Sequence, residues 1–143
     1  MYNMKRFLLS MALIITVSMS FAQSDSSKEN EVDPPANTVK IPGYELYAKG
    51  MDEGSRMDWL VAKRTCECKG EGWRLPTIGE LKVLYDYRDM FENFSKEYYW
   101  ASDQNPYNGK YYNLSFLNGR ADVENIKERN KVRCVWSPNK VKQ

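Results

Sequence analysis

The sequence predicts an α+β domain, and three observations carry that reading. Two segments in the first half of the domain bear helix-cap signals ahead of apolar residues at helical spacing. The second half changes to period-two alternation broken by two Asn-Gly pairs. Helical and extended segments are also grouped along the chain rather than interleaved, which separates α+β from α/β.

Taken in order, Tyr44-Glu45-Leu46-Tyr47-Ala48 alternates apolar with polar after Pro42-Gly43 and predicts a first strand, with Lys49 to Ser55 as loop. Asp58 can cap a helix that sets Trp59, Ala62, Cys66 and Lys63 on one side with Leu60 and Val61 adjoining, and Gly70 and Gly72 end it. In Gly72-Trp73-Arg74-Leu75-Pro76-Thr77-Ile78-Gly79-Glu80-Leu81, Pro76 holds Leu75 extended. Thr77 with Glu80 three residues on forms a capping box. The second helix should run to Asp86 or Met90 and bury Leu81, Leu84 and Tyr85. Tyr98 to Ser102 then reads as a strand, and Tyr111 to Phe116 as its partner with Tyr112, Leu114 and Phe116 on one face. Asn108-Gly109 and Asn118-Gly119 read as two-residue hairpin turns whose central residues both need positive φ. Ala121 to Ile126 returns, Lys127 to Asn130 bends, and Val132, Cys134 and Trp136 line one face of a last strand. Alternation sends Trp100, Tyr112 and Tyr98 into the core.

The ends of the chain set its context. Lys5 and Arg6 precede the apolar run Phe7 to Val17, and Ser20-Phe21-Ala22 offers small residues before a cut, so residues 1–22 read as a secretory signal with Gln23 as the mature start. The apolar run is shorter than the roughly 20 residues of a membrane span, so no stable membrane insertion is expected after cleavage. No cysteine follows the cut to carry a lipid. Cleavage removes two of 21 basic residues and none of 19 acidic ones, leaving a formally neutral protein without the long-range field that attracts nucleic acid. Residues 23–40 have no aromatic residue and read as a flexible polar leader. The domain then spans 41–138, followed by a tail at 139–143, and the expected location is secreted, periplasmic or at the cell surface.

The series Trp59-x-x-Ala62-x-x-x-Cys66, the run Gly72 to Leu81, Tyr99-Trp100-Ala101-Ser102, Asn118-Gly119 and Val132-Arg133-Cys134-Val135 resembles the bacterial domain at the C-terminus of Legionella collagen-like protein. More distantly it is similar to FISUMP repeats and formylglycine-generating enzymes. The resemblance covers Tyr44 to Trp136. It implies a C-type-lectin-like fold, in which two helices flank a twisted antiparallel sheet and the N- and C-terminal strands pair. It also implies a secreted or surface binding module, and a disulfide from the first helix to the final strand, Cys66 to Cys134. A Cys68 to Cys134 bond with Cys66 free is the rival pairing. Either bond would close a loop of about 70 residues, which chain-entropy estimates value at roughly 4 kcal/mol.

The chemistry on offer is mostly subtractive. The chain has three cysteines and no histidine, so a four-ligand structural zinc site is not supplied, and the usual base of serine, cysteine and zinc hydrolases is missing. Cys66-Glu67-Cys68 has one intervening residue where thioredoxin-like centres have two. The segment Asp103 to Lys110 is short, and Pro106 follows the amides Gln104 and Asn105 rather than dividing them, which does not fit the calcium-dependent sugar site of the wider fold. No catalytic residue, cofactor or metal is therefore expected. Glu80 and Arg74 have structural roles to fill, one as the cap and the other pairing with a carboxylate. The candidate ligand contacts are the outward residues of the aromatic hairpin, Asp103, Asn105, Tyr107, Asn108 and Tyr111, able to stack on and hydrogen-bond a glycan or a surface protein. The alternative is an assembly subunit whose exposed strands pair with other chains.

Overall fold

The computed structural model describes residues 32–138. The expected secretory signal and the tail at 139–143 lie outside the described residues, as does all of the leader before Val32.

Both helices begin where their caps place them. Asp58 accepts from Val61 N–H at 3.0 Å and opens α1, Trp59–Glu67, which turns Trp59, Ala62 and Cys66 inward and leaves Leu60, Val61 and Lys63 outside. Thr77 opens α2, Ile78–Asp86, through a complete capping box. Its hydroxyl accepts from Glu80 N–H at 3.1 Å, and its own N–H donates to the Glu80 carboxylate at 2.8 Å. Leu81 and Leu84 are fully buried, Tyr85 is half-buried, and a single 3₁₀ turn at Arg88–Met90 continues the chain direction.

Two sheets, rather than one, complete the domain. The first contains β1 (Thr38–Lys40), β2 (Tyr47–Lys49), β3 (Trp73–Arg74) and β7 (Val135–Trp136) in the order β1-β2-β7-β3. The second is the meander β4 (Tyr98–Gln104), β5 (Tyr111–Ser115) and β6 (Ala121–Glu124). Early and late strands pair antiparallel, Tyr47 opposite Trp136 and Ala48 opposite Val135. The first strand thus starts three residues later than expected, because Tyr44 to Leu46 complete a turn in which Tyr44 N–H donates to Ile41 C=O and Ile41 N–H to Leu46 C=O. Thr38–Lys40, inside the segment read as leader, is an ordered outer strand instead. Asn37 takes a left-handed φ of 61° and its carbonyl accepts from Gly50 N–H, so the chain reverses there and is held to β2.

The apolar residues form two clusters separated by β4. Leu81, Leu84, Tyr99, Ala101, Leu114, Phe116 and Val135 belong to one, and Trp59, Ala62, Cys66, Leu75, Trp100, Val132 and Cys134 to the other. With both faces of β4 covered, Tyr99, Trp100 and Ala101 are all fully buried and simple alternation fails. Tyr98, expected in the core, is 39% exposed. The last strand is shorter than expected: β7 holds two residues, and Val132 and Cys134 reach the core from irregular chain. Likewise β6 ends at Glu124, and the bend that follows buries Asn130, whose Nδ2 donates to Glu124 at 2.7 Å. Cys66 and Cys134 form the disulfide, with Cα atoms 5.4 Å apart and sulfurs 2.02 Å apart, and Cys68 is exposed and free.

Candidate functional site: the outer hairpin and the cleft beside it

The loop joining β4 to β5 is built by its own side chains. Asn105 N–H donates to Lys110 C=O at 2.7 Å and Gly109 N–H to Asn105 C=O at 3.0 Å, so the connection has four residues rather than two. Only Gly109 has positive φ, 69°, and Asn108 does not. Its role is an Asx turn instead, its Oδ1 accepting from Lys110 N–H at 3.0 Å. The second Asn-Gly pair is made the same way: Ser115 N–H donates to Arg120 C=O, Gly119 N–H to Ser115 C=O, and Arg120 N–H to Asn118 Oδ1. In both loops the asparagine is spent on a side-chain turn and the glycine alone takes the left-handed position.

Four of the five expected contact residues are committed to this scaffold. Asp103 accepts from Ile78 N–H and so caps α2 from the neighbouring strand. Asn105 accepts from Tyr107 N–H at 2.9 Å and donates to the Tyr112 hydroxyl at 3.2 Å. Asn108 holds Lys110. Tyr111, expected to face outward, stacks on Trp59 with ring centroids 3.8 Å apart, because α1 lies against that face of β5. Gln104 adds a brace, its Nε2 donating to Gly109 C=O at 2.8 Å. Tyr107 is the exception: at the tip it is 94% exposed.

Beside the hairpin, linked to it through the Trp59 ring that contacts Tyr111, lies a cleft of about 540 Å³ lined from α1, β3, the start of α2 and β4. Trp59 and Leu75 supply its apolar lining, and Lys63, Glu67, Arg74, Thr77, Glu80 and Ser102 its polar one. Arg74 and Glu80 form a two-pronged ion pair at 2.7 Å on each prong, and a second Arg74 contact reaches Ser137 Oγ at 3.0 Å. Burial works against the Glu80 carboxylate. The Arg74 guanidinium and the Thr77 N–H outweigh it and hold Glu80 below the usual carboxylate range. Ser102 N–H donates to Pro76 C=O at 2.8 Å, which pins the Leu75-Pro76 segment across β4. The expected structural roles of Arg74 and Glu80 are thus both present, and they form a wall of the cleft. Lys63 and Ser102 carry no local signal of a contact role, since only the fold brings them together.

Elsewhere, Ser55, Arg56, Glu128 and Arg129 line a second cleft of about 480 Å³ beside the basic bend, where Arg56 meets Glu97 at 3.4 Å with both side chains largely in solvent. Among the described residues no group of three or more cysteine or carboxylate side chains is placed to hold a metal ion. Among them, too, no helix is long and apolar enough to cross a membrane.

Two helices, paired terminal strands and a meander carrying the outer hairpin define a C-type-lectin-like fold. Solved structures agree. Botrocetin, among the snake-venom proteins of this fold, superposes with a TM-score of 0.57 at 17% identity over 74% of this chain and 99% of its own. EMS16, an antagonist of the collagen receptor integrin α2β1, gives 0.55 at 14% identity over 73% and 99%. Botrocetin in complex with a von Willebrand factor A1 domain gives 0.53 at 10% identity over 73% and 99%. The Lcl C-terminal domain family matches residues 26–136, and the chain belongs to that family. No curated protein matches it in sequence.

Proposed function

We propose that this chain is a secreted or envelope-associated, non-catalytic recognition domain that engages a protein or glycan through the β4–β5 hairpin and the adjoining cleft. One observation carries the reading: a nearly fully exposed tyrosine sits on a loop whose neighbouring polar side chains are already used to fix its shape. Tyrosine in that setting offers a large amphipathic contact with few rotatable bonds, and the loop's order is established before a ligand arrives. The fold is compatible, since its structural neighbours include an integrin antagonist and a venom protein in complex with a von Willebrand factor domain. A disulfide deep in the domain suits an oxidising compartment. The strand-pairing alternative draws less support: β1 is three residues long, and the outer strand β6 carries Asp122 and Glu124, charges that oppose edge-to-edge pairing.

The test is to compare the mature domain with its Tyr107→Ala variant on glycan arrays and in cross-linking to intact cell surfaces. An anchor tyrosine should cost at least about fivefold in affinity on truncation. Unchanged binding by Tyr107→Ala moves the contact elsewhere. Turnover that disappears on substituting Cys68 or a carboxylate makes the chain an enzyme and ends the proposal.

A further inference from the structure

We infer that Asn108 is a modification site: its side chain closes spontaneously on the Gly109 backbone nitrogen and opens to isoaspartate and aspartate, while Asn118, in the same sequence pair, is spared. Asparagine is chemically labile, and most so ahead of glycine, where no Cβ hinders the neighbouring nitrogen. The chain holds two such pairs, Asn108-Gly109 and Asn118-Gly119, so a difference between them is imposed by the fold.

The reaction sets what the fold must supply. The Gly109 nitrogen attacks Asn108 Cγ, a C–N bond forms, the Cγ–Nδ2 bond breaks, and ammonia leaves with the proton that the peptide nitrogen gives up through solvent. Water then opens the cyclic imide. Opening at Cγ gives aspartate. Opening at the main-chain carbonyl gives isoaspartate, in which the backbone runs through Cβ and Cγ and is longer by one atom. Water is the co-reactant, and nothing is oxidised or reduced.

The electrophile is prepared in both loops. Asn108 Oδ1 accepts from Lys110 N–H at 3.0 Å and Asn118 Oδ1 from Arg120 N–H at 3.1 Å. Each bond is aimed at the oxygen on which negative charge gathers during attack. The nucleophile separates the two. Each glycine N–H is held by a carbonyl, Gly109 by Asn105 at 3.0 Å and Gly119 by Ser115 at 2.7 Å, and must be released and turned toward the side chain. Gly109 has room for that turn. Residues Pro106 to Lys110 are all exposed, and a Cβ on Gly109 would meet nothing nearer than Gln104 Nε2 at 3.7 Å. Gly119 has none: a Cβ there would lie 2.7 Å from the Tyr85 ring, itself packed edge-on against the buried Phe116. Opening the first loop disturbs a solvated tip, and opening the second displaces a ring seated on the core. The product lengthens the loop that presents Tyr107 and adds a carboxylate beside it. That consequence for binding rests on the recognition reading above; the modification itself does not.

The test ages the folded, oxidised mature protein at physiological temperature in neutral and mildly alkaline buffer. Peptide mass spectrometry then reads the conversion of amide to acid at each site, and labelling by isoaspartyl methyltransferase marks isoaspartate. Asn108 should convert at least about tenfold faster than Asn118 in the folded protein. The alkaline buffer should quicken it, because the attacking nitrogen must lose its proton. In urea with the disulfide reduced, the two pairs should convert at similar rates, since only local sequence then acts. Equal rates in the folded protein, a faster Asn118, or no conversion of Asn108 where urea permits both would each overturn the inference. Cell-surface capture by fresh protein and its loss on Tyr107→Ala report on the recognition reading without reference to either asparagine, so the two fail separately.

Discussion

Arg133 is a wholly buried guanidinium in a chain whose other basic residues are mostly solvated, and its partners lie far away in sequence. Its Nε and Nη2 donate to Asp52 Oδ1 at 2.9 and 2.6 Å, and its Nη1 to the Lys49 and Gly50 carbonyls at 3.0 and 2.8 Å. Phe94 covers it at 3.9 Å from the ring centroid. Replacing it by Met leaves Asp52, whose side chain is only 14% exposed, without its cation, and unfolding in urea should show a loss of about 3 kcal/mol, the low end of the range for breaking a buried pair. The other Asp52 oxygen accepts from the Tyr99 hydroxyl at 2.8 Å. Burial, and then the Asp52 charge, push the Tyr99 phenol up to about 12 from an ordinary 10.0. A phenol whose folded value is raised stabilises the fold fully below its unfolded value and loses that contribution as pH climbs from about 10 to about 12. Wild type should therefore weaken relative to Tyr99→Phe across that window, and parallel stability curves for the two would refute the assignment. Neither Asp52 nor Arg133 can be paired by sequence, because 81 residues separate them and nothing local marks either. Glycine at the second hairpin is a contrasting case: a Cβ on Gly119, φ 73°, would lie 2.7 Å from the Tyr85 ring, so Gly119→Ala should lower stability by about 1–3 kcal/mol in thermal unfolding.

At the scale of elements, legibility follows locality. The caps of α1 and α2 are readable because donor, acceptor and helix lie within four residues of one another, and Thr77 with Glu80 is satisfied as a box in both directions. The β4–β5–β6 meander is readable from period two, but its turns are not, since Asn-Gly serves two loop lengths and only tertiary context selects between them. Tyr111 departs from its expected environment because alternation assumes one buried face, and here α1 and the chain around Val132 cover the second. Tyr98, at the start of β4, lies outside that cluster and stays 39% exposed although Trp100 two residues on is buried in it. The same limit hides the cleft, whose walls come from four elements, α1, β3, α2 and β4. One consequence belongs to α2 alone. Glu80 is held below its usual value of 4.5 by Arg74 and Thr77 against the cost of burial, so its contribution is present above that value and is lost as pH falls through the lower folded one. Urea unfolding of wild type and Glu80→Gln should differ clearly at pH 7, and the difference should shrink steadily as pH falls below 4.5. A difference that does not change at all with falling pH would mean the carboxylate's charge is not what holds the cap.

Across the whole molecule, the disulfide and the two apolar clusters divide the task of holding the ends together. The β2–β7 pairing joins early and late chain over only two residue pairs, a short ladder to oppose the entropy of the long excursion between them. Cys66 and Cys134 bridge a separation of 68 residues within the cluster under α1, and the cluster under α2 contains neither sulfur. Constraining a loop of that length is worth roughly 4 kcal/mol, a large part of the about 5–15 kcal/mol that stabilises a typical domain. Reduction should therefore lower the urea midpoint by an amount equivalent to roughly 4 kcal/mol, and hydrogen exchange should quicken first in α1 and around Val132 while Leu81, Leu84 and Leu114 stay protected longer. Thiol counting should find one reactive group in the native protein and three after reduction, matching the exposed Cys68 and the bonded pair. Cys68→Ser ought to leave the oxidised midpoint unmoved, whereas Cys66→Ser should reproduce the effect of reduction. Should Cys68→Ser prove the costly variant, the bridge runs from the other sulfur, and α1 is anchored at its C-cap rather than through its buried face.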